Sequence, residues 1–140
     1  MIQRIQSIYL LAIVIVNALL LTIPFGANAK SGEDLLIQNN HFTLITVAAT
    51  TLIAIYTILQ FKNRPKQLKL VKMIGALIIT FSVAAHMAVH ESLFSFSIDA
   101  LKETIRLGMI FPMISLILAF LAHKAIKKDD QLVKSVDRLR

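Results

Sequence analysis

The stretch IYLLAIVIVNALLLTIPFGANAK, residues 8–30, decides how many times the chain can cross a membrane. Residues 8–25 form an uncharged run of 18. Behind it, Ala27-Asn28-Ala29 has the small-x-small form that a signal peptidase cuts, with Lys30 next. A discarded leader would leave three spans and a retained run makes four. The apolar part of a secretion signal is ordinarily about 7–15 residues, and this run is longer. Pro24 and Gly26 suit the end of a span as well as a break before a cleavage site. Length favours retention.

The remaining sequence points the same way. The chain has 140 residues, 56% hydrophobic and only 16% charged, with a mean hydropathy of +0.72, a balance outside that of soluble domains. Further apolar runs occupy residues 42–61, 73–90 (broken by His86) and 107–123. About 20 apolar residues cross a bilayer, so spans are expected near 8–25, 42–61, 73–90 and 107–123, the last borrowing a turn from a flank. Ile98, Leu101 and Ile105 share one helical face among Asp99, Lys102, Glu103 and Arg106, the pattern of a short interfacial helix. The expected fold is all-α, an integral membrane four-helix bundle with short loops and an amphipathic C-terminal tail helix.

Charge sets the orientation. With both termini inside, the inner parts hold Arg4, the basic residues of a loop at 62–72 and those of a tail at 124–140, which is 12 of the 15 Lys and Arg. The outer parts hold Lys30, Lys102 and Arg106. This positive-inside bias absorbs the net charge of +7. Basic residues without interleaved aromatics or a recognition element do not indicate nucleic acid. With no cysteine, disulfides, thiolate metal sites and thiol catalysis are excluded. No tryptophan is present to anchor the interfaces, a role left to Tyr9, Tyr56, phenylalanines and basic side chains.

Three motifs also resemble one family: MIQRIQSIYLL at residues 1–11, KNRPKQLKLVKMI at 62–74 and KAIKKDDQLVKSVDRLR at 124–140. The chain is similar to the bacterial domain-of-unknown-function family numbered 4293, small proteins expected to cross the membrane four times. The resemblance covers the whole chain. It implies that the first residues belong to the protein, and it carries no activity, cofactor or catalytic residue. The location it implies, together with the charge bias, is the bacterial cytoplasmic (inner) membrane with both termini cytoplasmic.

Inside the spans the sequence offers packing stripes and a few polar groups. Gly108, Pro112, Ser115, Ala119 and Ala122 recur by four and three residues, and small side chains there permit close helix approach. Pro112 is expected to kink its helix. Thr43, Thr46, Thr50 and Thr57 fall on one face with Ala54, and Gly75, Ser82 and His86 on one side of the third span. Asn17 sits at the middle of the first span, where an unpaired amide is costly. His86 and His90 stand four apart, a spacing that can chelate a metal, with His41 expected at a similar depth to His90. Their order with Glu91 is not H-E-x-x-H, so they are weak metal candidates and no cofactor is implied. His123 reads as a cation at the C-terminal end of the fourth span.

No nucleophile-base pair, phosphate loop or carboxylate dyad is visible, so the expectation is not an enzyme. The candidate contact residues are the basic loop, Lys62, Arg64, Lys66, Lys69 and Lys72, and the tail, Lys127, Lys128, Leu132, Val136, Arg138, Leu139 and Arg140. They would meet anionic inner-leaflet lipid and a protein partner or second copy of the chain. The leading function is a non-enzymatic accessory subunit or scaffold. The alternative is a small oligomeric proton or metal-ion transporter or channel using Asn17, Ser82, His86 and His90 along a polar path.

Overall fold

Asn40 and Asn63 show how the chain starts its helices. Asn40 Oδ1 accepts from the backbone N–H groups of Phe42 (3.0 Å) and Thr43 (3.4 Å), capping the helix that follows. Asn63 Oδ1 accepts from the N–H of Lys66 at 3.2 Å and its carbonyl from Gln67. Pro65 then falls in a first turn, where its missing N–H costs nothing. In the computed structural model, which describes residues 3–27, 33–61, 63–90 and 106–137, the helices are α1 (Gln3–Leu20), α2 (His41–Leu59), α3 (Arg64–His90) and α4 (Ile110–Asp137). Single 3₁₀ turns at Ile37–Asn39 and Leu107–Met109 lead into α2 and α4. The expected interfacial helix near 98–106 lies outside the described residues except for Arg106, as do Ala29, Lys30, Lys62, Glu91, Arg138, Leu139 and Arg140. The same holds for the side chains of His90 and Val136.

The helices form a ring in which α1 packs on α2 and α4, and α3 packs on α2 and α4. Each contributes a seam spaced by alternating threes and fours, the spacing of coiled-coil-like packing. On α1 it is Gln6, Leu10, Ile13, Asn17 and Leu20, and on α3 Gln67, Val71, Ile74, Ile78, Phe81 and Ala85. On α2 the expected face of Thr43, Thr46, Thr50, Ala54 and Thr57 is the buried one. Its threonine hydroxyls donate to carbonyls three or four residues earlier, as Thr50 does to Thr46 at 2.7 Å, which satisfies them within the helix. On α4 the small-residue stripe is buried as expected and continues through Ile126 to Asp129.

The seams build two apolar halves. One joins Leu10, Ile13, Ala54, Ile74, Ala119, Ala122 and Ile126, towards the basic end of the bundle. The other joins Leu20, Phe25, Ile37, Val47, Phe81, Ala85 and Val89, towards the opposite end. That opposite end is closed by an antiparallel pair of two-residue strands, β1 (Gly26–Ala27) and β2 (Asp34–Leu35). Phe25 meets Phe81 edge-on at 6.3 Å, and Arg106 Nε lies 2.8 Å from Asp34 Oδ1. Gly108 allows the cap to close. Its N–H donates to the Pro24 carbonyl, and a Cβ there would come within 2.5 Å of that oxygen and 2.6 Å of Phe25 Cα.

The described residues give three helices long and apolar enough to cross a membrane, α2, α3 and α4. Four full spans were expected. α1 itself runs Gln3–Leu20, with Ile5–Leu20 as its apolar part among the described residues, and it stops at Leu20 rather than Phe25. Its last N–H groups close 3₁₀-like bonds, and Pro24 forces the preceding residue out of helical geometry. Two expectations are corrected. Residues 64–72 do not belong to a loop, since α3 is helical from Arg64, and Pro112 does not kink α4 because it lies in the first turn. The third-span stripe of Gly75, Ser82 and His86 is not the seam either. Ser82 is exposed and the other two half-buried, at the edge facing α4.

Replacing Gly108 by alanine is expected to destabilise the protein by about 2 kcal/mol, because backbone rather than a movable side chain occupies the space. Gly75→Ala, which meets nothing within 4 Å, is expected to be neutral or stabilising. Thermal unfolding of both variants in one detergent checks the contrast. Equal effects would mean the Gly108 contact is absent.

Candidate functional site

The basic end is where the chain gathers its charge. At 1.5 Å per residue, the 27 residues of α3 and the 28 of α4 each measure about 40 Å, against about 30 Å of bilayer hydrocarbon. The surplus turns coincide with the most polar ends, residues 64–72 of α3 and 124–137 of α4. The expected amphipathic tail helix is therefore the uninterrupted continuation of α4. No proline or glycine interrupts residues 113–137, and Ile126 and Asp129 hold the seam register that Ala119 and Ala122 begin.

Polar contacts tie this end together. Arg64 Nε lies 2.9 Å from Asp129 Oδ2, with side-chain exposures of only 19% and 11%, joining the start of α3 to the far part of α4. At 2.9 Å, Gln67 Nε2 donates to the Thr57 carbonyl, which also accepts from the Gln60 N–H at the end of α2. Gln6 Nε2 reaches the Ala125 carbonyl at 3.4 Å. On the rim, Lys66 Nζ donates to the Tyr56 hydroxyl at 2.7 Å and stands 5.2 Å from its ring centroid.

Around this tied interior, Lys66, Lys69, Lys72, Lys124, Lys127, Lys128 and Lys134 are exposed. Lys134 Nζ pairs with Asp130 Oδ2 at 2.6 Å, an i,i+4 link along α4. Leu132 and Val133 are 45% and 40% exposed, an apolar spot on an otherwise charged helix end. Among the described contact residues expected from sequence, Arg64 is the exception in that it turns inward to Asp129. Asp129 itself was missed. Its register, seven residues beyond Ala122 on the small-residue stripe, was the available signal.

The intramembrane polar groups do not line one cavity. Asn17 Nδ2 donates to Thr51 Oγ1 at 3.0 Å, and Asn17 also borders a small cavity between the two apolar halves. Thr50, Pro112 and Ser115 line the same space, which has room for about one water, and the buried Ser115 hydroxyl has no protein partner there. Ser82 and His86 border a different groove, between α3 and α4 near Phe25 and Met109, and the Ser82 hydroxyl donates to the Ile78 carbonyl. His41 is exposed at the start of α2. Among the described residues no three His, Asp or Glu side chains cluster as a metal site.

A ring of four α-helices, three of them able to cross a bilayer, with a cationic end and an apolar outer surface, defines a small helical-bundle membrane protein. Within that class, the chain belongs to the family described as a domain of unknown function, DUF4293, whose model matches residues 2–139. No curated protein and no solved structure matches it.

Asp129→Ala is expected to destabilise the bundle by about 3 kcal/mol, since it strands a largely buried guanidinium. Combining it with Arg64→Met should restore much of the loss, measured by thermal unfolding of the single and double variants. Additive losses would mean the two side chains do not interact. Asn17→Leu should cost about 1 kcal/mol, typical of one interhelical hydrogen bond in lipid.

Proposed function

We propose that the protein is a non-enzymatic accessory subunit or scaffold of the bacterial cytoplasmic membrane, with both termini cytoplasmic, that docks a protein partner on its basic end. The observation that carries this reading is the joined extension of α3 and α4. Two helices longer than the hydrocarbon core run on at the same end and are tied there by Arg64 and Asp129. A topological signal alone requires basic residues but no such fixed geometry. The exposed Leu132 and Val133 amid lysines supply what a partner surface of mixed apolar and acidic character would bind.

In this orientation α1 is the remaining span. Its outward residues Ile5, Ile8, Leu11, Ile15 and Leu19 are all large, apolar and exposed, which suits lipid and not water. Gln6 and the start of α1 then lie with the basic ends of α3 and α4 on the cytoplasmic side.

The cysteine-free sequence makes the orientation directly testable. In intact cells a membrane-impermeant maleimide is expected to label Asn39→Cys but to reach Ser135→Cys only after lysis. The reverse pattern would invert the topology. For the function, native mass spectrometry of untagged protein in mild detergent is expected to show a foreign protein in fixed ratio. Removing residues 131–140, which spares Asp129, should release that protein while thermal unfolding of the bundle is unchanged. Association that survives the truncation removes the tail from the docking surface.

A further inference from the structure

At the basic end, α3 and α4 part to leave a lateral groove of about 220 Å³. Its walls are apolar, formed by Gly75 on α3 and by Leu116, Ala119 and Phe120 on α4, and it is bounded by Lys72 and His123. Gly75 creates the opening, since a Cβ at that position would meet no atom within 4 Å. Lys127 stands one turn beyond His123 on the same face of α4. The nearby carboxylates are engaged elsewhere, Asp129 with Arg64 and Asp130 with Lys134. Neither Lys72 nor Lys127 has a carboxylate partner among the described residues, and His123 Nδ1 is buried without a hydrogen-bond partner.

We propose that this groove holds one anionic phospholipid, its phosphate among Lys72, His123 and Lys127 and one acyl chain laid over Gly75 against Leu116, Ala119 and Phe120. The order of chemistry along the groove matches that of a lipid. By the helical rise, Gly75 lies about 4.5 Å deeper than Lys72, and Ala119 about 6 Å deeper than His123. Cations therefore stand at the headgroup and apolar walls begin where an acyl chain begins. A soluble anion would use the cations and leave the apolar groove empty, whereas a phospholipid uses both. Lysine stems can lie along the groove while their ammonium groups reach the phosphate, and an imidazole N–H can donate to a phosphate oxygen. The site requires only a bilayer around the helices, so it stands whether or not a protein docks on the basic end.

The test uses the full chain reconstituted with equal parts phosphatidylglycerol and phosphatidylcholine, then released into native mass spectrometry. One phosphatidylglycerol per chain is expected to survive in preference to phosphatidylcholine. The double variant Lys72→Gln/Lys127→Gln should lower that preference about thirtyfold, the effect of two lysines near an anionic headgroup. Gly75→Leu fills the groove and should expel the lipid with helicity and unfolding temperature preserved. Should that variant fail to fold, the lysine pair, exposed and outside the core, decides the matter alone. Equal retention of the two lipids overturns the proposal, as does retention unchanged in the variants. Displacement by millimolar inorganic phosphate would make the site one for a soluble anion, and a chain dimer that closes over Gly75 would make it an interface. Either result overturns it too.

Discussion

The ion pair between Arg64 and Asp129 joins the two charged helix ends. Without it, the first turns of α3 and the last turns of α4 would be two frayed helix ends, each kept from lipid by its own charges. With it, a guanidinium and a carboxylate that are both mostly withdrawn from water hold the ends in register. Such a pair is not favourable by default, because desolvation of the two charges offsets much of their attraction. It belongs where geometry has to be specified. Here it fixes α3 against α4 beyond the hydrocarbon, and the exposed lysines and Leu132 inherit a defined arrangement from it.

The same logic recurs inside the bundle. A bilayer offers no water to an unpaired amide or hydroxyl, so helices form and their polar side chains must find partners within the protein. The threonines of α2 solve this locally, returning their hydroxyls to their own backbone. Asn17 solves it across helices, through Thr51. Together with Thr50 and Ser115 it makes a polar layer between two apolar halves. Register along each seam is the property such a layer fixes, because sliding a helix by one turn would bury these groups against hydrocarbon.

How much of this was legible in the sequence depends on how local the cause is. The all-α fold, the second helix and its threonine face follow from composition and a 3.6-residue period, and both agree with the structure. The small-residue stripe on α4 was equally readable, since Gly108, Pro112, Ser115, Ala119 and Ala122 are all buried. The end of α1 was not, because hydropathy continues to Phe25 while Pro24 and the pairing of β1 with β2 stop the helix earlier. Reading Gly75, Ser82 and His86 as a seam failed for a related reason. Small size marks close approach only where a neighbour is present, and α3 turns its larger row of Ile74, Ile78 and Phe81 to the core instead. The basic segment before the third span was read as a loop because charge suggests solvent, whereas α3 is helical from Arg64. Helical register, which carries Arg64, Gln67, Ile126 and Asp129 inward, is a weaker signal until a partner helix is known.

The geometry of the basic end depends on α4 continuing without a break from its apolar part into its charged end. Backbone amide hydrogen exchange of the protein in lipid nanodiscs reads this residue by residue. Protection is expected to run unbroken from Leu121 through Asp130, with fast exchange setting in only near Leu132, and to extend through Gln67 at the start of α3. If exchange instead becomes fast at Lys124, with the amides beyond it unprotected, the extension is not a fixed helical platform and the Arg64–Asp129 tie does not hold it.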